Sequence, residues 1–266
     1  MRNLLLALAH KLFNTVDRFR PVSSLRWGYS YFNDCKLLCD AYGFMPKVVY
    51  DVGANDGRTY RRFRLAFHSP LIVCVEPNER LWDHLERVAQ DDSHFVLARC
   101  ALGASLGSAL LRFYGKEGSS EQASSNLSSI SDRPMFTEAF DYQHVGAAEV
   151  PLETVDHLAT TLGHSFIDIL KIDVEGYEPD VLEGAFEMLS SSSIAIVVTE
   201  FSGVLAEQHQ AGSLELIAKK LQPYGFTMVA VSTDFVVHGN IPYANHNAVW
   251  VNPRACARAC SRPTDH

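Results

Sequence analysis

The stretch Lys47-Val-Val-Tyr-Asp-Val-Gly-Ala-Asn-Asp-Gly57 decides the fold. Its β-branched and aromatic run, Val48 to Tyr50, is typical of a buried parallel strand, and Asp51 stands where that strand should end. A turn of small residues follows, and residues 58–67 carry apolar side chains at helical spacing. A strand, a glycine turn and a helix in this order direct backbone N–H groups and a helix N-terminus toward a nucleotide-like ligand.

The spacing of this turn distinguishes between ligands. A dinucleotide-binding turn has a central glycine, whereas here Asn55 stands between Gly53 and Gly57, which disfavours an NAD-dependent oxidoreductase. The turn suits a ligand with an amino-acid end, because Asp51 can meet an ammonium group and turn N–H groups can meet a carboxylate. S-adenosylmethionine has both groups, so these four residues are predicted to bind it. The alternative is an ordinary tight turn in which the glycines serve backbone geometry alone.

Two further segments extend the predicted cofactor site. A second apolar run, residues 71–75, ends in Glu76, about 20 residues beyond the glycine turn, which is the offset at which a strand-end acid binds ribose hydroxyls. A third strand and its exit, residues 94–103, would pass beneath an adenine ring. Ala101 and Leu102 are therefore predicted to contact the ring.

A cluster of acids is the candidate for the chemistry. The apolar strand that begins at Ile167 delivers Asp173 and Glu175 to its carboxyl end, and the next apolar run ends in Glu200. Like charges are costly to bring together, so we predict a catalytic role as general base for one of these acids. The same acids could bind Mg²⁺. The sequence favours a metal-free site, because no asparagine or second aspartate follows the acids at a suitable spacing.

Composition sets the class of protein. The chain has 266 residues, of which 47% are hydrophobic and 20% charged, and this predicts one large globular α/β domain. A net charge of −8 argues against a nucleic-acid surface. No segment has the length and apolar character of a membrane span. The six cysteines form neither a disulfide framework nor a zinc pattern, which predicts a reducing, cytoplasmic setting.

The chain divides into three predicted parts: an N-terminal helical extension (residues 1–45), the cofactor-binding domain (46–252) and a peripheral C-terminal tail (253–266). The first helix is amphipathic, and packing on the domain or on a second subunit, as in a homodimer, is favoured over attachment to a membrane surface. A serine-rich segment, residues 115–133, is either a surface loop or the rim of the site.

Taken together, these motifs resemble the FkbM-type family of S-adenosylmethionine-dependent methyltransferases. The resemblance covers roughly residues 46–202 and is carried most specifically by Leu170-Lys-Ile-Asp-Val-Glu-Gly-Tyr-Glu178, beside the glycine turn and Glu76-Pro77. It implies a class I, Rossmann-like, doubly wound sheet of seven mostly parallel strands with the last strand antiparallel. It also implies O-methylation of a hydroxyl on a sugar, glycan or related metabolite. Asp56 departs from the family pattern, in which an apolar residue is more usual.

Two functions from different classes therefore remain open. The favoured one is a methyltransferase that uses S-adenosylmethionine and a small-molecule or glycan acceptor. The alternative is a non-catalytic adaptor that keeps the fold and binds a partner through its N-terminal helix.

Overall fold

The computed structural model describes residues 27–67, 69–115, 127–131, 142–202, 213–238 and 241–263. The strands in chain order are β1 (Val48–Val52), β2 (Leu71–Val75), β3 (Phe95–Ala98), β4 (Ala101–Leu102), β5 (Gly107–Gly115), β6 (Ser128–Ser129), β7 (Gln143–Glu153), β8 (Ile167–Ile172), β9 (Ile194–Ser202), β10 (Thr227–His238) and β11 (Ile241–Val251). The helices are α1 (Tyr31–Tyr42), α2 (Arg58–Ala66), α3 (Glu79–Val88), α4 (Val155–Thr161), α5 (Glu178–Glu183), α6 (Phe186–Ser190), α7 (Leu214–Leu221) and α8 (Pro253–Ser261), with a 3₁₀ turn at Gln222–Tyr224.

A seven-stranded sheet in the order β10-β11-β9-β8-β1-β2-β3 forms the centre of the molecule. Strands β3, β2, β1, β8 and β9 run parallel to one another, and β11 is antiparallel to both of its neighbours. The mostly parallel seven-stranded sheet and the antiparallel last strand are therefore confirmed. The separate closing strands that the sequence indicates near Phe226–Val231 and Asp234–Val237 are one continuous strand, β10, with a register shift between Met228 and Ala230.

Helices cover both faces of this sheet, so the doubly wound arrangement is also confirmed. The strands alternate their side chains between two cores: Val49 and Ile169 pack on one face with residues of α1, α2, α3 and α8, whereas Tyr50 and Leu170 pack on the other with residues of α4 to α7. Strand β8 is buried along its whole length. Such continuous apolar strands are typical of parallel sheets covered on both faces.

A second sheet, in the order β4-β7-β5-β6, is a feature that the sequence analysis does not anticipate. The sequence predicts extended segments at residues 109–114 and 145–150, and these form parts of β5 and β7. The two strands pair with each other in an antiparallel ladder instead of joining the central sheet. Because β4 follows directly on β3, the second sheet lies beside the carboxyl ends of the central strands.

The segment from Pro253 is not the peripheral tail that the sequence predicts. It forms helix α8, which begins at Asn252, whose side chain accepts hydrogen bonds from two N–H groups of the first turn. Ala255 and Cys256 are fully buried in the core. Arg262 pairs with the buried carboxylate of Asp168, which also accepts hydrogen bonds from the backbone at the start of β1. The small side chains of Ala255 and Cys256 allow this close packing against the sheet.

Among the described residues, no helix is both long enough and apolar enough to cross a bilayer. The first predicted amphipathic helix and most of the serine-rich segment lie outside the described residues.

Candidate active site

A cavity of about 480 Å³ lies at the carboxyl ends of the central strands. This is the edge at which open α/β sheets bind their ligands. Its lining includes the following residues named from the sequence: Gly53, Asn55, Glu76, Ala101, Leu102, Asp173, Glu175 and Glu200. Asp51 and Gly57 were predicted with them but do not line the cavity. The fold therefore brings five of the seven predicted cofactor-binding residues and all three predicted catalytic acids into one space.

The glycine turn between β1 and α2 has the backbone that its sequence requires. Gly53 has φ +81°, and a side-chain carbon there would stand 1.9 Å from the backbone oxygen of Asp173. Asn55 also has positive φ, 49°, which asparagine tolerates better than most residues. Gly57, at φ +71°, begins α2 and packs against the side chain of Leu85. Gly57 thus lies against α3, whereas Gly53 and Asn55 line the cavity.

Glu76 is held in one orientation by the backbone around it. Its two carboxylate oxygens accept hydrogen bonds from the N–H groups of Asn55 and Asn78, both at 2.8 Å. Burial raises the pKa of Glu76 to about 7, while these two hydrogen bonds act in the opposite direction. Pro77, Leu102 and Leu111 add apolar surface nearby in the lining. The result is an oriented carboxylate at the edge of an apolar surface, an arrangement that can bind hydroxyl groups beside a flat ring.

Asp51 lies in the protein interior beside Lys171 instead of facing the ligand space. The two residues are register partners on β1 and β8, both are buried, and their charged groups are 4.0 Å apart. Neither carboxylate oxygen of Asp51 has a hydrogen-bond partner within the described chain. Burial raises the pKa of Asp51 to about 7, and the nearby ammonium of Lys171 limits this rise.

We expect Asp51→Asn to change how stability depends on pH. The folded state raises the pKa of Asp51 from 3.8 to about 7, so the folded protein retains a proton that the unfolded chain releases, and stability falls as pH rises through this window. At about 1.4 kcal/mol per pH unit, wild type should lose up to about 3 kcal/mol relative to Asp51→Asn between pH 5 and pH 8. Urea denaturation at both pH values measures this difference. The exposed helical variant Asp83→Asn serves as the control, and equal pH slopes for Asp51→Asn and wild type would contradict the expectation.

The acid cluster, defined as Asp173, Glu175 and Glu200, lines the same cavity as Glu76. One carboxylate oxygen from each member lies within 4.8 Å of those of the other two. Burial first, and then repulsion from the other two acids, raises the pKa of Glu200 well above its ordinary value. Lys171 donates to Asp173 at 2.7 Å, which favours the ionised form of that carboxylate.

The loop after β8 holds the acid cluster in place. Glu175 has φ 56°, an uncommon conformation for a residue other than glycine. The buried side chain of Glu178 accepts hydrogen bonds from the N–H groups of Val174 and Gly176 at 3.1 Å, and Ser129 of the second sheet donates to the backbone oxygen of Glu175 at 3.0 Å. Glu178 therefore organises the loop in addition to beginning α5.

Several residues of the lining were not found from the sequence. They come from α1, α2, β6 and its flank, and β11: Tyr31, Arg62, Ser128, Ser129, Ile130, Asn245 and Asn247. The serine-rich segment gave the one usable signal, and its described part does form a rim. Arg62 belongs to a basic run that the sequence indicates as a solvated helix face, yet its guanidinium stacks on Phe32 and borders the cavity. Nothing in the local sequence of α1 or β11 marks a ligand site.

The strand order, the antiparallel last strand and a cavity at the carboxyl ends of the parallel strands together define a class I methyltransferase fold of the Rossmann-like type. The family model described as the methyltransferase FkbM domain matches residues 51–228, and the chain belongs to this family. The resemblance found in the sequence is thereby confirmed.

The chain is also similar to individual proteins. The chain is 27% identical over 158 residues to the 2-O-methyltransferase NoeI of Sinorhizobium fredii, covering 58% of this chain and 63% of that relative. Two solved structures are more distant. The N-methyltransferase NodS from Bradyrhizobium japonicum is 12% identical with a TM-score of 0.45 over 84% of this chain and 94% of that one. A putative RNA methyltransferase from Pyrococcus horikoshii is 13% identical with a TM-score of 0.44, covering 87% and 95%.

Proposed function

We propose that this protein is an S-adenosylmethionine-dependent O-methyltransferase whose acceptor is a hydroxyl on a sugar, glycan or related metabolite. The observation that carries the proposal is the shared cavity, in which the oriented carboxylate of Glu76 and the acid cluster both border the same space. The name of the relative NoeI, a 2-O-methyltransferase, supports transfer to oxygen. The buried free cysteines agree with the predicted reducing, cytoplasmic setting, which stays a prediction, as does a homodimer.

The residues of the cavity fit S-adenosylmethionine. Glu76 presents a fixed acceptor for the two ribose hydroxyls, and Leu102 with Ala101 offers apolar surface for an adenine ring. Gly53 leaves room for close approach to the turn, where a larger residue would collide with the backbone after β8. The cavity volume lies within the range of about 300–1,000 Å³ that small-ligand sites occupy. When bound, the cofactor supplies a methyl group already activated by its sulfonium.

The chain's own contribution is to orient the acceptor and to receive its proton. Holding two reactants in line replaces a large part of the entropic barrier. A sugar hydroxyl is a weak nucleophile, so a carboxylate within hydrogen-bonding reach should accelerate the reaction by about 10²–10⁴-fold. We assign the proton-accepting role to Asp173, because Lys171 favours its ionised form. Glu200 and Glu175 complete the polar wall beside it.

Titration calorimetry with S-adenosylhomocysteine, the demethylated product, tests the cofactor site. We expect micromolar binding to wild type and a loss of tenfold or more in Glu76→Ala, which is about 1.4 kcal/mol, because the ribose hydroxyls lose their acceptor. Glu76→Gln keeps the side-chain volume and one oxygen, so its loss should be smaller. Glu79→Ala, an exposed acid on α3, is the matched control and should bind as wild type does.

The outcomes separate the candidate functions. Thermal unfolding of each variant first establishes that the protein is folded. Absence of binding to folded wild type would contradict the proposal and favour the adaptor, whose predicted binding helix lies outside the described residues. Binding of NAD in place of S-adenosylhomocysteine would favour an NAD-dependent oxidoreductase. Once cofactor binding is established, transfer of a radiolabelled methyl group to oligosaccharide fractions tests the acceptor class.

A further inference from the structure

Strand β11 carries a pair of amides to the acid cluster. Asn247 is the register partner of Glu200 in the antiparallel ladder between β11 and β9. Directly paired residues project from the same face of a sheet, so the amide of Asn247 lies beside the carboxylate of Glu200. Asn245, two residues earlier, projects from the same face. Both line the cavity, and we call Asn245 and Asn247 the amide pair.

The amide pair removes the sequence-based reason for rejecting a metal ion. That reason was the lack of an asparagine near the acids along the chain, and the fold supplies two from the last strand. Hard divalent cations prefer oxygen ligands and combine carboxylates with neutral amide oxygens. The acid cluster and the amide pair together provide both kinds of ligand at one end of the cavity.

The spacing of the acid cluster suits a single ion. One oxygen from each acid lies within 4.8 Å of the other two. Oxygens that bind the same ion at about 2.0–2.6 Å lie at most about 4–5 Å apart. The three oxygens are therefore close enough together to approach one cation.

Unused hydrogen-bonding capacity in the amide pair points independently to a ligand. Asn247 is only 5% exposed, and no hydrogen bond joins its side chain to the part of the chain that the structure describes. The side-chain oxygen of Asn245 is buried and has no partner among the same residues. A buried polar group without a partner costs about 1–3 kcal/mol. Both asparagines line the cavity that the acid cluster lines, and an amide oxygen is a neutral ligand of the kind that a hard cation takes.

The local charge agrees with this assignment. Lys171 contacts Asp173 at 2.7 Å, but it is also shared with the buried Asp51. One ammonium therefore faces the three carboxylates of the acid cluster as well as Asp51. A divalent cation would relieve the mutual repulsion of these carboxylates.

We infer that the acid cluster and the amide pair form a binding site for one divalent cation of the oxygen-preferring class, Mg²⁺ or Mn²⁺. The inference rests on the proposed function in one respect: the bound ion would lower the pKa of an acceptor hydroxyl that coordinates it. The site itself is defined by residues of this chain and can be tested without an acceptor.

Titration of the full chain with MnCl₂, followed by the electron paramagnetic resonance signal of free Mn²⁺, tests the site. We expect one bound ion per chain, displaced by excess MgCl₂. Glu175→Gln and Asn247→Ala should each weaken Mn²⁺ binding by at least about tenfold, whereas Glu215→Gln, an exposed acid on α7, should bind as wild type does. Circular dichroism confirms that each variant is folded.

Absence of a stoichiometric ion from folded wild type, or binding that neither cavity variant weakens, would overturn the inference. Calorimetry with S-adenosylhomocysteine on the same samples keeps the two proposals apart. Cofactor binding without Mn²⁺ binding leaves the methyltransferase proposal standing and removes the metal site. Mn²⁺ binding without cofactor binding leaves the metal site standing and contradicts the methyltransferase proposal.

Discussion

Gly53→Ala should destabilise the folded protein by about 2–5 kcal/mol. Two effects combine. The first is the left-handed backbone, φ +81°, which costs a residue with a side chain about 1–2 kcal/mol. The second is steric, because the new methyl group would stand 1.9 Å from the backbone oxygen of Asp173. Overpacking of this kind adds up to about 3 kcal/mol. Urea denaturation measures the change in the free energy of unfolding.

Gly43→Ala provides the matched control for this prediction. Gly43 ends α1 with φ +74°, nearly the same backbone conformation, but nothing lies within 4 Å of the added carbon. It should therefore show only the backbone cost of about 1–2 kcal/mol. Similar losses in the two variants would mean that the turn and the loop after β8 separate easily. A larger loss in Gly53→Ala would mean that the contact between Gly53 and Asp173 connects the glycine turn rigidly to the acid cluster.

The sequence was sufficient to predict features that depend on local order along the chain. The glycine turn, the acid at the end of β2 and the acids after β8 each follow an apolar strand directly. Parallel strands end at one edge of their sheet, so the sequence predicts that these groups share that edge. Glu76 and Glu175 could accordingly be assigned to one cavity without knowledge of the sheet.

Features that depend on register between distant segments could not be predicted. The amide pair reaches the acid cluster only because β11 inserts beside β9 in one particular register, and a shift by one residue would turn Asn247 away. Tyr31 reaches the cavity from a helix outside the matched family domain. Asp51 was predicted to contact the ligand because it stands at a strand end. In the structure, its charged neighbour is instead Lys171, its register partner on β8.

Close contacts between glycines and distant backbone were also invisible in the sequence. Gly184 directly follows α5, and a side-chain carbon there would stand 2.0 Å from the backbone oxygen of Gly103, at the exit of β4. This contact joins the helix layer to the strand that leads into the second sheet. The structural role of Gly184 becomes evident only from this packing.

Lys171→Met should destabilise the protein by about 3–5 kcal/mol, the loss typical of removing one partner from a buried ion pair. Lys171 is 1% exposed, and its ammonium lies 2.7 Å from Asp173 and 4.0 Å from Asp51. Burial alone would lower the pKa of Lys171, but the surrounding acids, Asp173 first, raise it above its ordinary value. The ammonium is therefore charged in the folded protein. Methionine fills a similar volume, so the loss measured by urea denaturation reports the missing charge.

Two further variants serve as controls for the Lys171→Met prediction. Lys220→Met removes an exposed ion pair of similar length, 2.6 Å to Glu183, and should cost less than about 1 kcal/mol because water replaces the lost contact. The double variant Lys171→Met/Asp51→Asn should recover at least about 1 kcal/mol relative to Lys171→Met, because the carboxylate left without a cation is then neutral. A loss in Lys171→Met as small as that in Lys220→Met would show that the charges are already neutralised by proton transfer or water. A large loss with no recovery would assign the effect to Asp173, and thus to the acid cluster, instead of Asp51.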